Sequence, residues 1–130
     1  MYTATTRNIK VTVFPSYLPD QSDGFSGLHA WAYFIRIENL GTETAQLVNR
    51  YWRITDGLGQ VQEVRGAGVI GEQPTLEGGD SHQYTSGVTL HTPTGIMQGH
   101  YEMHTPSGEI FNITVPAFSL DSPEQMKRAN

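Results

Sequence analysis

The chain has 130 residues, 14 of them Gly, 7 Pro and none Cys, and charged residues make up 16%. Eight basic against 13 acidic residues give a formal net charge of −5, which argues against a nucleic-acid surface built on Lys and Arg. The absence of Cys removes disulfides, thiolate metal sites and Cys nucleophiles together, and no apolar run approaches the ~18 residues of a membrane helix. The expectation is a soluble single domain over residues 1–130, with no membrane insertion.

Alternation of period two runs through the chain. Ile9, Val11 and Val13 recur between Lys10 and Thr12, predicting a strand over Thr6–Phe14 with one buried face. Pro15 and Pro19 are expected to break it, and Leu18–Gly27 reads as a polar loop. Leu28–Leu40 predicts a central strand, with Trp31, Tyr33, Ile35 and Ile37 on one face and Ala30, Ala32, Phe34, Arg36 and Glu38 on the other. Thr44–Asp56 follows with Trp52 and Ile54 inward. The step from Val48 to Trp52 passes through Arg50, so a bulge or a twist is expected there.

Asp56-Gly57 predicts a type I′ hairpin turn into a polar strand over Gln60–Arg65. Gly66–Gly71 is too rich in glycine for a strand interior, and Gln73-Pro74 opens a loop. Ser81–Val88 is a short strand around Tyr84, and Ile96–His104 one with Met97, Tyr101 and Met103 inward. Glu109–Val115 is a strand with Phe111, Ile113 and Val115 on one face. Phe118 and Leu120 are the last apolar anchors. The ordered core is therefore expected over about 3–120, with 121–130 a frayed tail. Seven or eight short strands without crossover helices predict an all-β protein, an antiparallel β-sandwich of immunoglobulin or fibronectin type III kind.

Two motifs carry possible chemistry. Gly66-Ala67-Gly68-Val69-Ile70-Gly71 matches G-x-G-x-x-G, in which glycines let backbone N–H groups approach a pyrophosphate at a helix N-terminus. Here the preceding segment is polar and Pro74 stops any helix, so the strand and helix that the motif needs are missing. What remains is a loop anion site with Arg65, or an exposed apolar tip formed by Val69 and Ile70 that meets a partner. The second motif is His100-x-Glu102-x-His104. Residues i and i+4 of a strand stand roughly 13 Å apart, so one ion takes only a neighbouring pair, and His100 with Glu102 is the candidate for a divalent cation. No Ser, His and carboxylate set reads as a triad and no cofactor is implied. The two Arg residues around Tyr51 and Trp52 are expected to pair with Glu across strands.

The ordered blocks Asn49–Gly57, Val64–Pro74, Tyr84–Gly87, Gly95–Met103 and Pro116–Leu120 resemble the ApaG family, a likeness that runs from about Thr3 to Leu120. The resemblance implies a fibronectin type III-like sandwich in a small cytoplasmic bacterial protein, associated with cobalt resistance and magnesium efflux. Related eukaryotic domains act in protein–protein interaction, and no catalytic residues come with the family. The leading expectation is thus a non-enzymatic protein-interaction module with an unidentified partner, as a monomer or weak homodimer, linked only indirectly to cobalt and magnesium. The alternatives are a nucleotide or polyphosphate binder through residues 66–71 and a divalent-cation binder.

Overall fold

The computed structural model describes residues 1–23 and 25–123. Among these, nine strands form two antiparallel sheets: β1 (Tyr2–Thr6), β2 (Ile9–Tyr17), β3 (His29–Asn39), β4 (Ala45–Asp56), β5 (Val61–Ala67), β6 (Thr75–Leu76), β7 (Ser81–Leu90), β8 (Thr94–His104) and β9 (Ile110–Asp121). One sheet has the order β1-β2-β3-β7 and the other β5-β4-β8-β9, with β6 paired to the start of β4. The expected all-β antiparallel sandwich is the fold. Its core follows the predicted alternation: Trp31, Ile35 and Ile37 of β3 face Trp52, Met97, Tyr101, Met103, Ile113 and Phe118 of the second sheet, all buried.

Two turns and one proline differ from expectation. Thr6–Phe14 is not one strand, because Arg7 and Asn8 adopt positive φ of 48° and 63° and fold β1 back on β2. This is a type I′ hairpin on residues that do not advertise one. The ion pairs from Arg7 to Glu43 and Glu109 hold it. Pro15 does not end β2. The Leu18 N–H donates to Ala30 O, so even-numbered residues of β2 bond β3, and Pro15 turns its nitrogen toward a stretch of edge that β1 no longer covers beyond Val13. That is where a strand tolerates Pro. Asp56-Gly57 forms no I′ turn either. Gly59, at φ 83°, closes a three-residue loop, while the Asp56 carboxylate accepts from the N–H groups of Leu58 and Gln60.

The sandwich has one sealed flank and one open flank. On the sealed side β1 and β2 pack on β9, the Tyr2 hydroxyl accepts from Ser119 N–H, and the Thr6 hydroxyl accepts from Thr114 N–H. The Trp31 indole donates to Asp121 O, and the buried Ser122 donates its N–H to Pro93 O. The chain is therefore held past Leu120, and residues 124–130 of the expected tail lie outside the described residues. On the opposite side β7 and β5 end their sheets, and none of the seven residues of β5 is buried.

Candidate binding site

The open flank is a cleft centred on Arg50. The expected bulge is present between Leu47 and Asn49, and it switches the inner face of β4 from odd-numbered Ala45 and Leu47 to even-numbered Arg50, Trp52 and Ile54. Gly66 is its cross-strand partner. A Cβ there would stand 2.8 Å from the guanidinium, so the glycine gives Arg50 its room. Arg50 Nη1 donates to Ala67 O at 3.1 Å and to Gly68 O at 2.9 Å. Among the described residues no ion pair includes Arg50. It does not pair with a cross-strand Glu as expected, because Glu63 lies on the outer face beside Arg65.

Two adjoining hollows of about 310 and 300 Å³ flank this guanidinium. Tyr33, Trp52 and Ser86 line both; Val64 and Val88 border one, Ile70 and Tyr84 the other. The Tyr84 and Tyr101 hydroxyls hydrogen-bond at 2.5 Å. Burial pushes the phenols of Tyr33, Tyr84 and Tyr101 upward, so all three remain neutral hydroxyls. No Asp, Glu or His lines either hollow. The only formal charge on these walls is the positive one of Arg50.

The structure separates the residues of the glycine motif. Gly66 belongs to β5, and Gly68 takes φ 62° with its N–H donating to Val48 O. Val69 and Glu72 exchange two backbone hydrogen bonds around Ile70 and Gly71, at φ 47° and 74°, making a tight I′ turn. The amides of Gly68, Val69 and Glu72 are thus spent on backbone carbonyls, whereas an anion nest needs them free. Arg65 is not beside the loop tip. It extends over the Tyr51 ring at 4.7 Å on the outer face and pairs with Glu63. Val69 corrects the expectation of an exposed apolar pair: it is 1% exposed and part of the core, while Ile70 is 62% exposed on the cleft rim. The I′ turn reverses the chain within two residues, so one side chain of the pair points in and the other out.

On the outer face of the second sheet the His100 ring stacks on Tyr51, with centroids 5.0 Å apart. Glu102 does not turn to His100. It accepts from Asn49 Nδ2 at 2.8 Å and contacts His104 Nε2 at 2.9 Å. Hydrogen bonds from His104 and Asn49 hold the Glu102 carboxyl below its usual range. Among the described residues no three His, Asp or Glu gather as a metal site. Sequence reasoning missed Arg50, Tyr33, Tyr84 and Ser86 as a group. The available signal, for Arg50 alone, was the even parity it shares with Trp52 and Ile54.

The family model of the ApaG domain matches residues 19–105. The chain belongs to the ApaG family. It is 56% identical over 130 residues to the protein ApaG of Agrobacterium fabrum and 55% identical to that of Paramagnetospirillum magneticum, with all of both chains covered in each case. Among solved structures, a Bordetella pertussis protein described as ApaA superposes with a TM-score of 0.86 at 43% identity, covering 92% of this chain and 97% of that one. The ApaG likeness and the Arg50 cleft are therefore features of one sandwich: the matched span contains Arg50, the glycine turn and all of β7.

Proposed function

We propose that this ApaG-family chain is a non-enzymatic interaction module of the bacterial cytoplasm, and that it grips a partner protein at the open flank between β5 and β7. The observation that carries the reading is the asymmetry of the sandwich. One flank is sealed, whereas the other exposes two strand edges, a cleft whose Arg50 makes no ion pair among the described residues, and Ile70 on its rim. Large exposed apolar side chains next to an open cleft fit a partner surface. The walls of these two hollows carry no carboxylate or imidazole, the commonest acid–base groups of enzymes. This favours binding over catalysis.

The glycine turn serves the reading as a rim, not as a phosphate cradle. Any link to cobalt and magnesium would run through the partner, since Glu102 is engaged with Asn49 and His104 rather than with His100. A photo-crosslinking residue at position 70, and a second at Phe34 on the far face of the first sheet, test the surface in a bacterial extract. The expected result is adducts from position 70 only, lost after Arg50→Gln. Equal adducts from both positions refute the surface.

A further inference from the structure

We infer that the free edge of β7 receives an extended segment of the partner protein, which adds as a fifth strand to the first sheet and places an acidic side chain against Arg50. This deepens, and rests on, the reading of the open flank as the binding surface.

The argument starts from the edges. Sheet edges expose unpaired N–H and C=O groups, and proteins guard them with Lys, Pro, bulges or covering segments. β1 and β9 cover each other, and β5 carries Glu63 and Arg65. β7 carries none of the guarding residues: Ser-His-Gln-Tyr-Thr-Ser-Gly-Val-Thr-Leu is ten residues of regular strand without Lys, Arg, Asp, Glu or Pro, and the side-chain contact it receives from the glycine turn, Glu72 Oε2 at 3.4 Å from His82 Nε2, lies at its first residues. It pairs with β3 in unbroken register. Even-numbered residues of β3 bond β2, as the Leu18–Ala30 bond fixes, so odd-numbered ones bond β7. Since Tyr33 faces Ser86 and Ile35 faces Tyr84, the even-numbered residues of β7 are the bonded ones. Thr85, Gly87 and Thr89 therefore turn their N–H and C=O groups to the open edge.

A strand added there lies about 4.8 Å beyond β7 and faces β5 across the usual ~10 Å between sheets. It would cover the inner face of β5, where Gln62 is exposed and Val64 only half-buried. Its residue opposite Ser86 points into the cleft, where Ser86 and Arg50 share both hollows. A carboxylate at that position meets a guanidinium that lacks an anion, with neutral hydroxyls around it, and forms a charge-assisted pair. A second copy of the chain is the poorer occupant, because its own β7 brings no acidic residue to Arg50. Main-chain bonds would supply affinity and the pocketed side chain specificity, the division of labour of strand-addition complexes.

The test uses the full chain and a displayed library of random nonapeptides, selected on wild type with counter-selection on Arg50→Gln. The expected winners carry Asp or Glu at one fixed position between β-branched residues. With the leading peptide bound, the amides of Thr85, Gly87 and Thr89 exchange at least about tenfold more slowly with deuterium. Changing the acidic residue of the peptide to its amide weakens binding at least about tenfold, the scale of a charged hydrogen bond. That comparison needs no protein variant and stands even if Arg50→Gln unfolds. Thr85→Pro removes an N–H that β3 does not use, and should abolish binding with the fold retained. Winners that crosslink at position 70 but leave the β7 amides unprotected overturn the strand inference and spare the open-flank reading. Winners that map to another face overturn both. A concentration-dependent dimer that protects the same amides also overturns it, since the edge then belongs to a second copy.

Discussion

Replacing Gly68 by Ala should cost far more than the same change at Gly71, although both glycines belong to one six-residue motif and both take positive φ. At Gly71 nothing lies within 4 Å of the added Cβ, so the cost is the left-handed backbone alone, about 1–2 kcal/mol. At Gly68 the Cβ would stand 2.2 Å from the carbonyl oxygen of Glu72, and backbone has to move. That carbonyl accepts from Val69 N–H, so the pair of bonds closing the turn is lost with it, at about 1 kcal/mol each. Val69, 1% exposed, is then partly unseated from a burial worth about 1.5–3 kcal/mol. The combined loss is about 4 kcal/mol, a large part of the 5–15 kcal/mol that holds a typical domain together, or about 15 °C in Tm for a chain of this size. Urea unfolding followed by the fluorescence of Trp31 and Trp52, both buried, measures it directly. Equal losses for Gly68→Ala and Gly71→Ala would refute the reasoning, as would a Gly68→Ala variant within 1 kcal/mol of wild type.

Val69→Asp should prevent folding while Ile70→Asp leaves the Tm within a few degrees, because only the first places a charge in the core; thermal unfolding of the two separates them. Tyr84→Phe should cost about 1–3 kcal/mol by leaving the buried Tyr101 hydroxyl unpaired, and the double change to Phe no more than that. A double-mutant cycle in urea reads the coupling. The hydrogen bond from Arg7 holds the Glu109 carboxyl below its usual value, so its stabilisation is present above the unfolded pKa near 4.3 and is lost as pH falls through the lower folded value. The difference in Tm between wild type and Glu109→Gln should therefore be largest at pH 7 and shrink as the pH is lowered through the acid range, as a pH series of melts would show. Tyr84 and Tyr101 titrate above the ordinary phenol range because of burial. Stability they contribute is present below pH 10 and lost above it, so absorbance at 295 nm should report their ionisation only together with alkaline unfolding.

How much of this was legible in the sequence depends on what sets each feature. The faces of β3 and β8 read directly, because Trp31, Tyr33, Ile35 and Ile37, like Tyr101 and Met103, keep a strict period of two. The bulge in β4 also showed, as the one place where the apolar phase slips past Arg50. The Arg7-Asn8 turn did not, since what makes it tenable is Glu43 and Glu109, more than thirty and a hundred residues away. Val69 misled for a related reason: within a tight turn the backbone, not periodicity, decides which neighbour points inward. Apart from the parity of Arg50, the cleft was out of reach. Its walls come from β3, β4, β5, β7 and β8, and only the sheet order says that β5 and β7 share a flank.

That sheet order also bears on how the chain reaches this state. β3 pairs with β7 and β4 with β8, so the consecutive strands β3 and β4 part into different sheets, and each takes its second partner from far along the chain. The first layer is complete only once residues near 90 have left the ribosome and the second only once residues near 121 have, and the first forty residues hold only three strands of one layer. Closing such distant pairs costs loop entropy before any burial offsets it, which places folding on the millisecond-to-second scale of β-sandwiches. Truncation just before β8 keeps every strand of the first layer but removes β8 and β9, and so leaves the apolar face of that layer without the sheet that covers it.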